Sequence, residues 1–271
     1  MVYTDDVVFL QLKKCASTHF ARIAFDLWGR KNVTYLEKHQ RIPNNFDIDD
    51  RLVIGSVRNP YDWYVSWFSY GCQDDGAQIY QTPSGHHRIL GHGWRSAPIS
   101  AMKSLIVELS KNRKRWECLH ADATNPDLFK EWLSEIFSAD PYLLGTAYGR
   151  SPLNQIVGFM TFSYLYLFLD SPAILYNNTS LKALKSKMLF KKIVPDHIIR
   201  VEYFEEDLIE VFERERIGFS NKQIAKIRSY KRTNASNRTD ISDYYDHKTL
   251  SLVHKSEYPL IEMYDYVPPA I

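Results

Sequence analysis

The chain has 271 residues, 45% of them hydrophobic and 14% aromatic, enough to bury the core of one large domain. A net charge of +2 leaves no global basic footprint for nucleic acid, so an anion site must rest on locally placed Lys and Arg. Three cysteines, Cys15, Cys72 and Cys118, fit neither a disulfide framework nor metal spacing, and suit a reducing, cytoplasmic compartment.

Val7 to Leu12 is a short apolar run, the pattern of a buried strand. Lys13-Lys14-Cys15-Ala16-Ser17-Thr18-His19 follows at once, and then Phe20, Ile23, Ala24 and Leu27 recur at helix spacing. A strand, a polar turn and a helix start make an anion site. The first helical N–H groups lack intrahelical partners, and the helix dipole favours negative charge there. Lys14 adds a full positive charge, while Ser17 and Thr18 add hydroxyls suited to capping the helix. The ordinary phosphate loop G-x-x-x-x-G-K-[ST] is absent. No glycine stands in this turn and Lys14 precedes the small residues, an order that argues against a P-loop-type kinase or NTPase.

Asn32 to Leu36 reads as a second strand, followed by Glu37 and His39. After a polar loop, Leu52 to Val57 reads as a third, with parallel strands joined by helical crossovers. Pro60 is placed to open a helix. Ser66 lies eight residues after Arg58, about two helical turns, so both are expected to face one anion.

Gly71 to Pro98 has no period and reads as a long loop. Its histidines, His86, His87 and His92, lack acidic or cysteine partners at metal spacing, so no metal is expected. Ile99 to Leu109 reads as a helix, and the four cations of Lys111 to Arg115 as its solvated end. Asn125-Pro126-Asp127 opens a helix with Phe129, Trp132, Leu133 and Ile136 on one face. Ile156 to Leu169 is too short and too polar for a membrane span and reads as a buried helix. The residues after Met1 lack the basic and apolar regions of a signal peptide. Ser180 to Phe190 reads as a basic helix, and Asp196 to Val201 as a strand. An acidic turn then opens a helix reaching Glu215, with Leu208, Val211 and Phe212 inward. A last helix runs to Tyr264. With no repeat or linker, residues 1–271 are expected to form a single α/β domain, a three-layer sandwich around a central, mostly parallel sheet.

Two segments carry a resemblance. Arg58-Asn59-Pro60 with Ser66 and Phe68 resembles the R-[ND]-P-x-x-R-x-x-S-x-[YF] signature of sulfotransferases that use 3′-phosphoadenosine 5′-phosphosulfate (PAPS). Lys13 to His19 resembles their P-K-[TC]-[GA]-G-T-S loop. Gly158-Phe159-Met160-Thr161 is similar to a Gly-Leu-Tyr-Thr element of bacterial members, and Lys231 to Arg238 to their Asn-x-Ser loop. Lys13 stands in place of the usual Pro, Ser17 of Gly, His19 of Ser and Trp63 of Arg.

The resemblance implies a P-loop-nucleotide-kinase-like fold with added helices. It implies that Lys13, Lys14, Cys15, Ala16, Ser17, Thr18 and His19 hold the 5′-phosphate end of PAPS, with Lys14 also reaching the bridging oxygen. Arg58 and Ser66 would hold the 3′-phosphate, and Arg232, Asn234 and Ser236 would lie over the nucleotide. The implied reaction moves a sulfuryl group to a hydroxyl or amine of a small-molecule or glycan acceptor, without a metal. A soluble enzyme without a membrane span or nucleic-acid partner is expected. The general base is His39, nineteen residues before Arg58, or Glu37, with the His86 to His92 loop as a third choice. A catalytically silent nucleotide-binding relative is the alternative that the departures motivate.

Overall fold

Val7–Leu10 forms strand β2, and all four of its residues are buried, as a strand covered on both faces requires. In the computed structural model, which describes residues 1–73, 97–177, 179–230 and 238–271, it lies at the centre of a five-stranded sheet. The order is β3-β1-β2-β4-β5, with β1 Val2–Tyr3, β3 Thr34–Tyr35, β4 Leu52–Val57 and β5 His197–Arg200. β2, β4 and β5 are parallel, with Phe9 opposite Ile54 and Gly55 opposite Ile198. β1 is antiparallel to both β2 and β3. The sheet is therefore mixed: β1 runs against the other four strands, which share one direction. The second expected strand exists, but as a two-residue antiparallel edge paired with β1, an N-terminal strand too short to show a period.

Eleven α-helices accompany the sheet among the described residues: α1 Ser17–Trp28, α2 Pro60–Gly71, α3 Pro98–Ser110, α4 Arg113–Leu119, α5 Pro126–Ser138, α6 Thr146–Arg150, α7 Phe159–Phe168, α8 Thr179–Lys185, α9 Phe204–Arg214, α10 Asn221–Arg228 and α11 His247–Met263. Contacts divide the chain into two compact units. One comprises Met1–Asn59, Tyr164–Pro172 and Lys187–Ala235; the other comprises Pro60–Ser163, Ala173–Ser186 and Ser236–Ile271.

The first unit holds the sheet. Phe20 of α1 stacks on Phe9 at 4.0 Å between ring centroids, and Phe204 of α9 meets Phe9 edge-on at 6.4 Å. Val7, Phe9, Ile54 and Ile199 share that buried cluster with Ile23, Leu208 and Phe212. Gly55 has no room for a side chain, because a Cβ there would meet Ile198 and Phe168. Asp196 ties the β4–β5 pair by accepting from Val53 N at 2.8 Å.

The second unit is helical around an aromatic core that includes Trp63, Tyr64, Phe68, Phe129 and Trp132. Asn125 caps α5 by accepting from Asp127 N and Leu128 N, and the expected face of Phe129, Trp132, Leu133 and Ile136 is buried. Lys111 to Arg115 begins as the expected helix end, with Lys111 the C-cap of α3. It joins α3 to α4 and supplies the first turn of α4, with Asn112 as cap. In α11, Pro259 lacks the N–H a regular turn needs, and the helix opens at Glu257. The Glu257 carboxylate then caps α7 from inside. It accepts from Thr161 N at 2.7 Å, Thr161 Oγ1 at 2.6 Å, Met160 N at 3.2 Å and Tyr64 Oη at 2.6 Å.

Candidate anion site at the strand ends

Parallel β2 and β4 end side by side, and the carboxyl ends of parallel strands are where open α/β sheets place ligands. The chain leaves β2 through Gln11 to Ala16 and enters α1 at Ser17. Lys14 and Ala16 both adopt left-handed φ of 60°. Left-handed residues without glycine cost free energy, and such strain concentrates at functional turns. The turn is pinned by Cys15 N donating to Leu12 O at 3.2 Å and by Ser56 Oγ of β4 donating to Cys15 O at 2.7 Å.

Ala16 is the N-cap of α1 and offers no side-chain bond to it. The expected capping by Ser17 and Thr18 is thus corrected: Ser17 Oγ turns back to Leu12 O at 3.5 Å, and Thr18 is exposed. The N-terminus of α1 keeps its partial positive charge uncompensated by any acidic residue of its first turn.

Arg58 leaves β4 and donates from Nη1 to Lys14 O at 3.1 Å. Two cations are therefore held together at the strand ends. Burial, reinforced by the charge of Arg58 and offset in part by Cys15, lowers the Lys14 ammonium to about 8. The next residue is fixed by Asn59 N donating to Glu202 Oε1 at 2.7 Å. Asp207 closes on Arg200 through both side-chain oxygens at 2.8 and 2.9 Å. The acids after β5 thus shape the backbone around the strand ends.

His39 also carries a left-handed φ, 61°. Its Nδ1 lies 2.7 Å from Gln11 O. A carbonyl only accepts, so the proton sits on Nδ1 and the lone pair on Nε2. Burial lowers the His39 pKa to about 4, against the Gln11 bond and with help from Lys13 and Lys38. The ring is therefore a neutral base at physiological pH, tied to the first residue of the anion turn. Arg41 anchors the same segment, donating to Tyr166 O at 2.7 Å and Asp170 O at 2.8 Å. Glu37 is exposed, and its carbonyl accepts from Met1 N at 2.9 Å.

Lys13, Lys14, Cys15, Ala16, Ser17, Arg58 and His39 are thus gathered around one turn of the first unit. His19 is turned away from it: the side chain is buried and bonds Glu205 Oε1 at 2.6 Å. Ser66 is buried within α2 of the second unit, and its relation to Arg58 rests on their spacing alone. Arg232, Asn234, Ser236, His86, His87 and His92 lie outside the described residues. No group of three His, Cys, Asp or Glu side chains suited to a metal occurs among the described residues. No helix among them is long and apolar enough to cross a membrane.

Two features escape sequence reasoning. The amide of Gln11 is fully buried, and neither Nε2 nor Oε1 has a partner among the described residues. Glu202 reads as one more acid of a helix start, and nothing in its neighbours signals that it grips Asn59. As to known proteins, no family model, curated protein or solved structure matches the chain.

Proposed function

We propose that the chain is a sulfotransferase that moves a sulfuryl group from PAPS to a hydroxyl or amine of an acceptor, a glycan among the candidates. One observation carries the reading: Lys14, desolvated in a strand-to-helix turn, is bonded through its carbonyl to Arg58 at the end of the adjacent parallel strand. Two cations held beside a helix N-terminus suit a ligand with more than one phosphate-type group. The P-loop-nucleotide-kinase-like sandwich expected from the resemblance belongs to this proposal.

In this mechanism the turn from Lys13 to Thr18 receives the 5′ end of the nucleotide, and Arg58 receives the 3′-phosphate. Lys14 offsets charge that grows on the bridging oxygen as the S–O bond breaks. Such a contact is stronger in the transition state than in the ground state and therefore raises rate. Nε2 of His39 takes the proton of the acceptor while its sulfate bond forms. Burial keeps the ring unprotonated at neutral pH, and the lowered pKa makes it a weaker base than a free imidazole.

The test is transfer of labelled sulfate from PAPS to a panel of glycans, lipids and small alcohols, read by mass spectrometry. A labelled product formed by the wild type and lost in Arg58→Ala supports the reading. Nucleotide binding without any product would favour a catalytically silent relative.

A further inference from the structure

Helix α3 of the second unit is inverted. The residues buried on its inner side include the small Ala101 and Ser104, and Ser104 Oγ lies 2.9 Å from Thr146 Oγ1. Its large apolar residues point outward: Ile99 is 69% exposed, Met102 49%, Ile106 57% and Leu109 70%. Their spacing of three, four and three places them in one stripe along the helix. Isolated exposed apolar residues are ordinary, but a continuous stripe marks an interaction surface.

The charges beside the stripe say what it meets. Lys103 is exposed on α3 itself. Arg113 and Lys114 are exposed in the first turn of α4, the end where a helix dipole disfavours cations. Among the described residues no ion pair engages Arg113 or Lys114. Of the acids nearby, Glu108 pairs with Lys111, and Glu131 and Glu135 pair with Arg115, so Glu117, exposed one turn along α4, is the acid left to offset Arg113 and Lys114, while Lys103 lies over the Tyr142 ring. An apolar stripe flanked by cations is the pattern of a helix that lies in the plane of an anionic bilayer surface. A nucleic acid would leave the apolar stripe in water.

We infer that α3, with Lys103, Arg113 and Lys114, docks the protein on an anionic lipid surface, with Ile99, Met102, Ile106 and Leu109 in the headgroup–acyl boundary. The site shares no residue with the anion turn and does not depend on the proposed reaction. The test is co-sedimentation of the full chain with phosphatidylcholine vesicles, with and without phosphatidylserine. Binding should be at least about tenfold stronger with phosphatidylserine and weaken steeply with salt. Ile106→Asp/Leu109→Asp and, separately, Arg113→Gln/Lys114→Gln should each reduce it by about tenfold or more while leaving the circular dichroism spectrum unchanged. Equal binding to both vesicles, or none, would overturn the inference. So would wild-type dimerisation in sedimentation velocity that Ile106→Asp abolishes, since the stripe would then belong to a second copy.

Discussion

Lys14→Met should make the nucleotide-free protein more stable. Methionine keeps most of the apolar stem and the left-handed backbone, and removes the ammonium with its charge and donors. Burial and Arg58 lower the Lys14 ammonium from 10.5 to about 8, so the folded state holds its proton less tightly than the unfolded chain. At about 1.36 kcal/mol per pKa unit this shift amounts to about 3.4 kcal/mol, and residual solvent access reduces it to about 2–3 kcal/mol. The cost is fully present below pH 8, where both states are protonated. It fades between pH 8 and 10.5, where only the unfolded chain binds the proton, and is absent above. Urea unfolding should therefore show the variant ahead of wild type by about 2–3 kcal/mol at pH 7. That lead should shrink toward zero by pH 10.5. A variant less stable than wild type at pH 7, or a difference that ignores pH, would refute the claim that the turn holds a desolvated cation.

Arg58→Ala should weaken 3′-phosphoadenosine 5′-phosphate binding by about 1.5–3 kcal/mol, roughly ten- to 150-fold by calorimetry, the usual cost of losing a bond to a charged group. His39→Ala should lower turnover by about 10²–10⁴ while nucleotide affinity changes less than about threefold, and Glu37→Gln should stay active. The wild-type rate should rise with pH through about 4, where His39 loses its proton, and that limb should vanish in the variant. Gln11→Leu should raise the unfolding free energy by about 1–2 kcal/mol, because an apolar side chain removes two buried polar atoms that have no partners among the described residues.

What could be read in the sequence was local. The strand at Val7, the turn at Lys14 and the helix after it show in apolar spacing and polar punctuation alone. Asn125 and Pro126 announce α5 because capping acts within one turn. What could not be read depends on partners far along the chain. β3 is antiparallel because it pairs with β1, and two residues of strand carry no period. The Ser17 hydroxyl does not cap α1, because the left-handed turn makes Ala16 the N-cap and points Ser17 back at Leu12. Glu257 sits in a helix rich in charged residues, and only the opening at Pro259 explains its burial. His19 belongs to the loop in sequence, yet its side chain is held by Glu205 across the unit's core. His39 drew notice for its spacing from Arg58. Its fixed tautomer comes from a carbonyl 28 residues away in sequence, and its low pKa from burial by the fold.

The central claim is that the turn at Lys14 and Arg58 recognises a nucleotide carrying a 3′-phosphate without a metal. Calorimetry in EDTA, comparing 3′-phosphoadenosine 5′-phosphate with adenosine 5′-monophosphate, tests it directly. The account predicts that the 3′-phosphate tightens binding by at least about tenfold, about 1.4 kcal/mol. Equal affinity for the two ligands, or binding of ATP only when magnesium is present, would contradict it.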